Sequence, residues 1–149
     1  MIALAAGYQH FADGAPFAEI ALRHPSVREV YFPWVGEPSG RPKLGFEEES
    51  DPDELEAALR RDLTRLKNAG VKLDLLLNAN CYGGEAMGVA LKSRIVGIVE
   101  KLDSWECRPG ICTTASPFVA HVLKGAFPEI EVYPRRPCIR RFRHSFPRY

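Results

Sequence analysis

The sequence predicts an α/β fold, because five short apolar segments alternate along the chain with four amphipathic segments of helical length. Strands and helices that alternate in this way form βαβ units and a mainly parallel sheet. The chain has 149 residues, is 46% hydrophobic and carries a net charge of +1, which excludes disorder of the whole chain. The pattern fits a partial (β/α) TIM-type barrel or a small doubly wound, flavodoxin-like sheet.

The predicted strands are short and apolar, and glycine or proline bounds several of them. Gly7 closes the first strand and Pro33 follows the second, while the third ends where a run of leucines gives way to polar residues. Such runs are typical of parallel strands that are covered on both faces. The strands are predicted at residues 1–6, 27–32, 71–77, 110–114 and 130–133.

The second of the four predicted helices has the clearest boundaries. Asp51 is its expected N-cap, Pro52 takes the first helical position, and Glu54 is placed to close a capping box. Gly70 lies just past its end, where a left-handed conformation is common. Its leucines recur on one face, as an amphipathic helix requires. The helices are predicted at residues 16–23, 52–69, 85–102 and 116–124.

The chain divides by charge into a body and a tail. Residues 134–149 hold six arginines and no acidic residue, which leaves 14 basic and 19 acidic side chains in residues 1–133. We therefore expect one partial-barrel domain over 1–133 and an irregular basic tail over 134–149. Arginines interleaved with aromatic residues are typical of a nucleic-acid-binding arm, although the composition also fits a disordered extension. The arginines expected to contact nucleic acid are Arg135, Arg136, Arg140, Arg141 and Arg143.

Four cysteines, at positions 81, 107, 112 and 138, contain no C-x-x-C pair. This spacing favours neither a zinc ribbon nor a thioredoxin-like redox site, so we expect reduced thiols, no metal and no cofactor. The chain has no run of about 18 apolar residues and no signal-peptide pattern at its start. The sequence therefore predicts a cytoplasmic protein that does not enter the membrane.

Ligands of parallel α/β sheets bind beyond the carboxyl ends of the strands, so the segments that follow the predicted strands are the candidate binding site. The long connection over residues 33–50 is one of them, since connections of this length are usually functional or mobile. Asn78 and Asn80 share the same strand parity and offer both donors and acceptors, but asparagine is also common in tight turns. The predicted substrate-binding residues are His10, Trp34, Arg41, Asn78, Asn80, Cys81, Tyr82, Thr113, Thr114 and Ser116.

No catalytic residue can be assigned from the sequence. Cys81 could act as a nucleophile if His10 or His121 were its base, but a buried or turn thiol is the alternative. The hydroxyls at residues 113–116 could bind an anion with the following helix, yet capping by Ser116 also explains them. The signature motifs of dinucleotide and P-loop sites, α/β-hydrolases and zinc proteases are missing from the sequence.

The order of segments resembles the N-terminal barrel half of the collagenase-like peptidase family, peptidase family U thirty-two. The resemblance spans about residues 2–132 and depends most on LLLNANCYG at residues 75–83, followed by TTASP at residues 113–117. It implies a TIM-type barrel and a peptidase, hence hydrolase, of unassigned catalytic type. Other members of the family act in RNA base hydroxylation or quinone biosynthesis, and some bind an iron–sulfur cluster through four cysteines. The cysteines of this chain are not at matching places, so no cluster ligands are carried over.

The resemblance ends near Val132, before the later barrel strands and the cysteine-rich signature of the family. We therefore expect a truncated gene product, read out of frame from about residue 134. Half a barrel leaves its first and fifth strands as open edges. It would then pair with a second copy or with the missing half, and would be inactive alone. The alternatives are a small nucleic-acid-binding protein that uses the arginine tail and a non-catalytic oligomerising scaffold.

Overall fold

The computed structural model describes residues 3–11, 14–39, 44, 51–79 and 82–134. These residues form a five-stranded sheet with four α-helices, and this confirms the predicted α/β class. Some sequence predictions lie outside the described residues. These are the predictions for Arg41, Asn80, Cys81, Cys138 and the arginine tail over residues 135–149.

All five strands are parallel, and their order across the sheet is their order along the chain. In a flavodoxin-like sheet the strands lie in the order 2-1-3-4-5, so the second strand lies at the edge and the first lies between the second and the third. The described sheet has no such reversal, so it has the strand order of consecutive barrel strands and not that of the doubly wound alternative. The strands are β1 (Leu4–Gly7), β2 (Val27–Pro33), β3 (Lys72–Leu77), β4 (Ile111–Thr114) and β5 (Glu131–Pro134).

The helices lie where the sequence predicts them, with two differences in detail. The Asp51 side chain caps its helix by accepting a hydrogen bond from the Asp53 amide at 3.0 Å, instead of closing a box with Glu54. The third helix begins at Val89, not at residue 85, because a 3₁₀ turn and the N-cap Gly88 occupy the preceding residues. The helices are α1 (Phe17–Leu22), α2 (Pro52–Asn68), α3 (Val89–Ser104) and α4 (Pro117–Ala126).

The four helices lie on one face of the sheet. Each connection joins neighbouring parallel strands in the same direction, and right-handed crossovers then place every helix on the same side. Alternate strand residues confirm this arrangement, because Val30, Phe32, Leu73, Leu75 and Leu77 share one buried core with residues of the helices. We call this side of the sheet the helix face.

Aromatic side chains of the core connect strand ends to the helices. Trp34, directly after β2, packs on Trp105, directly after α3, with ring centroids 5.4 Å apart. The Tyr8 hydroxyl donates a hydrogen bond of 3.2 Å to Asp62 of α2, which ties the end of β1 to that helix. None of the helices in the described ranges combines the length and apolar character needed to cross a membrane.

Candidate functional site

The opposite side of the sheet, which we call the second face, carries polar residues at the centre of the strands. Paired residues of parallel strands project to the same side, so the register identifies the members of this face. Tyr31, Asp74 and Ile111 are aligned across β2, β3 and β4, and Leu76 pairs with Thr113 in the next row. Asp74 therefore lies on the middle strand, surrounded by side chains from both neighbours.

Asp74 is a buried carboxyl group with one oxygen held in place. Only 6% of the residue is exposed, and its Oδ2 accepts a hydrogen bond of 2.8 Å from the Thr113 hydroxyl. Its Oδ1 has no hydrogen-bond partner in the described part of the chain. Burial raises the pKa of Asp74 to about 6, which the Thr113 hydrogen bond partly opposes and the negative charge of Glu29 reinforces.

This arrangement suits proton transfer. A carboxyl group with a pKa of about 6 can both accept and release a proton near neutral pH, as a general acid or base must. The Thr113 hydroxyl fixes the orientation of the group, while Oδ1 stays able to bind a ligand or a water molecule. Buried groups with perturbed pKa values of this kind are typical of functional sites.

The predicted residues that follow β3 lie at the strand-exit edge, where the carboxyl ends of the strands meet. Asn78 comes directly after β3, is 2% exposed and has the same strand parity as Asp74. The Tyr82 hydroxyl donates a hydrogen bond of 3.1 Å to the Leu77 carbonyl. Burial, with the charge of Glu37 as the next cause, raises the pKa of Tyr82 to about 12. Tyr82 is thus a neutral phenol packed against the end of β3.

The three predicted hydroxyl residues near the end of β4 have different roles. Thr113 lies on the second face and holds Asp74, whereas Thr114 lies on the helix face and is 1% exposed. The Thr114 hydroxyl accepts a hydrogen bond of 3.1 Å from the Ser116 amide. Ser116 caps α4 by accepting one of 3.3 Å from the Val119 amide. The predicted capping is confirmed, and only Thr113 is placed beside the acidic group.

The other predicted residues do not gather around Asp74. Trp34 belongs to the hydrophobic core, and His10 is half-buried in the loop after β1. His121 is exposed on α4. Cys107 and Cys112 are both buried and free, and burial raises the pKa of the Cys112 thiol, so this thiol is not activated. None of these side chains supplies a second group for chemistry at Asp74.

Sequence reasoning missed two features of this site. Asp74 is a charged residue inside an otherwise apolar strand, KLDLLL, and that interruption is a signal that could have identified it. Glu37 is 8% exposed in the loop after β2, and its Oε1 lies 2.6 Å from Nε of Arg94 on α3. Arg94 also donates to Glu85 at 2.8 Å. The burial of Glu37 depends on these distant contacts, which no local pattern in the sequence reveals.

No metal site is evident in the described ranges, where no three His, Cys, Asp or Glu residues are placed to share an ion. Two cavities are lined by residues other than Asp74. One of about 320 Å³ is at the amino-terminal edge of the sheet, between Lys72 and Glu131. The other, of about 660 Å³, runs along α2 beside Arg60 and Trp105. The first cavity includes Ile111, the β4 residue paired with Asp74, but neither cavity includes Asp74 or Thr113.

Comparison with protein-family models, with curated proteins and with solved structures finds no match for this chain.

Proposed function

We propose that the chain is a section of a (β/α)-barrel hydrolase related to the collagenase-like peptidase family, with Asp74 as its proton-transfer group. The observation that supports this most directly is the buried carboxyl group of Asp74, oriented by Thr113 and with Oδ1 unpartnered among the described residues. The sequential order of the strands supports the barrel, since consecutive barrel strands have this order and place their helices outside. The second face would then line the barrel interior.

In this reaction Asp74 would act first as a base and then as an acid. The ionised carboxylate accepts a proton from water while the water oxygen attacks the carbonyl carbon of a peptide bond. The protonated carboxyl group then returns that proton to the amide nitrogen as the carbon–nitrogen bond breaks. A pKa of about 6 allows both steps near neutral pH. The products are a carboxylic acid and an amine, and no other reactant is consumed.

The test is hydrolysis of an unstructured peptide mixture, followed by mass spectrometry. The full chain is assayed over a range of concentrations, because closing the open edges would require assembly. We expect cleavage products with the wild-type protein and a loss of at least about a hundredfold in the Asp74→Asn variant. The matched control is Asp103→Asn, which changes an exposed aspartate that pairs with Arg108. Absence of cleavage at every concentration, or equal cleavage by the Asp74→Asn variant, would overturn the proposal.

A second candidate is a scaffold that pairs through its sheet edges. In the described sheet, β1 and β5 each have one neighbour, and Leu4 and Tyr133 on these strands are both 51% exposed. Edge strands with exposed apolar residues are templates for pairing. Sedimentation of the full chain should show an oligomer that the Leu4→Lys variant weakens by about tenfold. A monomer at all concentrations would contradict this candidate. Nucleic-acid binding by residues 135–149 stays a prediction, since they lie outside the described residues.

A further inference from the structure

The cavity of about 660 Å³ is a groove along the outer surface of α2, and we call it the α2 groove. All but one of its lining residues belong to that helix, from Asp53 at one end to Arg65 at the other, and the remaining one is Trp105 after α3. At 1.5 Å per helical residue, the α2 groove is about 18 Å long. That length accommodates about five or six residues of an extended peptide.

The lining residue outside α2, Trp105, is largely buried and fixes the position of a neighbouring arginine. Its ring packs on Trp34 of the core, with ring centroids 5.4 Å apart. The guanidinium carbon of Arg60 lies 5.8 Å from the centroid of the Trp105 ring, and Nζ of Lys101 lies 5.9 Å from it. A cation at such a distance is attracted by the aromatic ring. The α2 groove is therefore anchored to the core at the place where Arg60 meets it.

Three exposed arginines line the carboxyl half of the α2 groove, namely Arg60, Arg61 and Arg65. None of them forms an ion pair with a carboxylate of the described residues, whereas Arg94 and Arg108 each pair with two. The helix dipole favours basic residues in the last turn of a helix, but Arg60 and Arg61 lie in the middle of α2. These guanidinium groups are placed to bind an anion from another molecule.

The amino half of the α2 groove carries the opposite charge, and this limits the kind of anion that fits. Asp53 and Glu56 line that half. Glu56 pairs with Lys101 of α3, and not with the arginines of the carboxyl half. A continuous polyanion such as a nucleic acid would be repelled by Asp53 and Glu56 if it lay along the whole groove. A peptide can instead carry its carboxylates at one end only, beside the arginines.

We propose that the α2 groove docks an acidic peptide segment of a partner protein, with neighbouring carboxylates of the peptide against Arg60, Arg61 and Arg65. Clusters of arginine are a recurring means of recognising acidic motifs. The planar guanidinium group can hold a carboxylate through two parallel hydrogen bonds. The helices lie on the face of the sheet opposite to Asp74, so this docking goes beyond the proposed hydrolysis and does not depend on it.

The experiment is a titration of the full, isotope-labelled chain at pH 7, followed by two-dimensional NMR. The probe is a six-residue peptide with blocked ends and three consecutive glutamates at one end, and its neutral control has glutamines in their place. We expect saturable shifts of the Trp105 indole N–H and of the Arg60 and Arg61 Nε–H groups with the acidic peptide only. Affinity should fall about fivefold or more in the double variant Arg61→Gln/Arg65→Gln, and it should fall with added salt.

The matched control is Arg140→Gln/Arg141→Gln, which removes the same charge from the basic tail and should leave the affinity measured on these signals unchanged. An equal loss of affinity in this control would overturn the proposal, because it would assign the peptide to the tail. So would the absence of saturable shifts in the folded wild type, or equal shifts with the neutral peptide. A single-stranded oligonucleotide that shifts the same signals at lower concentration would assign the α2 groove to nucleic acid instead. The wild-type shifts keep the test decisive if the double variant of α2 fails to fold.

Discussion

The two faces of the sheet differ in chemistry although the same strands form both. On the helix face, Val30, Phe32 and Leu75 are fully buried in the common core. On the second face, the residues between them in sequence include Tyr31 and Asp74, a phenol and a carboxyl group. The alternation of side chains along each strand separates packing from chemistry within a few residues. The packing residues and the proposed proton-transfer group therefore lie on opposite faces of the same strands.

The comparison also explains why Asp74 is tolerated at the middle of the sheet. A carboxyl group on the helix face would lie among side chains without donors, and its ionisation would be strongly opposed. On the second face Thr113 donates to it, so that only one of its oxygen atoms is left without a partner among the described residues. The cost of burial is reduced but not removed, as the raised pKa shows.

The largest expected effect is on the helix face. Replacing Leu75 with alanine removes a side chain with no exposed surface and leaves a cavity between sheet and helices. The free energy of unfolding should fall by about 2–5 kcal/mol, measured by urea denaturation. The titration of Asp74 in the same variant should stay unchanged where the variant is folded. A loss below about 1 kcal/mol, or a shifted Asp74 titration, would show that the two faces are not separable.

The next largest effect is on the second face, where replacing Asp74 should raise the free energy of unfolding instead of lowering it. The pKa of Asp74 is raised from 3.8 to about 6 in the folded state, so ionisation destabilises the fold as pH rises through that interval. Below pH 3.8 the group is protonated in both states, and the penalty is absent. Asp74→Asn should therefore stabilise the protein at pH 7 by up to about 3 kcal/mol. At about pH 3.5 the two proteins should differ by less than about 1 kcal/mol.

Urea denaturation of both proteins at several pH values measures this difference. Asp103→Asn, on an exposed helix end, is the control that should show no comparable gain at pH 7. If Asp74→Asn were less stable than the wild type at pH 7, the carboxylate would be stabilising and the argument for a strained functional group would fail.

A smaller effect is expected for the residue that orients Asp74. Thr113→Val keeps the shape of the side chain and removes the hydroxyl that donates to Oδ2. Because that hydrogen bond favours the ionised form, its loss should raise the pKa of Asp74 above about 6, by about one unit. Carboxyl-carbon NMR of the folded variant measures the change. A lower or unchanged pKa would show that Thr113 does not set the ionisation of Asp74. Ser116→Ala, at the α4 cap, provides the matched loss of a hydroxyl group.

Much of the fold could be predicted because its signals are local. The capping aspartate, the proline and the leucine periodicity of α2 all lie within Pro52–Asn68 and its flanks. The predicted beginning of α3 was wrong because a 3₁₀ turn occupies Gly83–Glu85 and Gly88 is the N-cap of the helix. Strand order is decided by contacts between distant segments, so the sequence left two architectures open until the parallel register was known.

The site could be predicted only in part. Asn78 and Thr113 were found because ligands of parallel sheets bind at the carboxyl ends of the strands. The different roles of Thr113 and Thr114 follow from strand parity, but that parity has meaning only once the two faces are distinguished. Asp74 and Glu37 are paired with Thr113 and Arg94, residues that are distant in the chain. Such contacts leave no periodic trace in the sequence.

The smallest effects are expected at two glycines, one in a site loop and one in the scaffold, and they should have opposite signs. Gly36 has a φ of +78° in the turn where the Glu37 amide donates to the Trp34 carbonyl, so Gly36→Ala strains the loop that positions Glu37. It should cost about 1 kcal/mol of stability. Gly97 lies inside α3, and an added Cβ would meet no neighbouring atom within 4 Å outside its own helix backbone. Gly97→Ala should therefore stabilise the protein by about 0.5–1 kcal/mol. Urea denaturation measures both changes in stability. A Gly36→Ala variant as stable as the wild type would show that the turn does not depend on the left-handed conformation of Gly36.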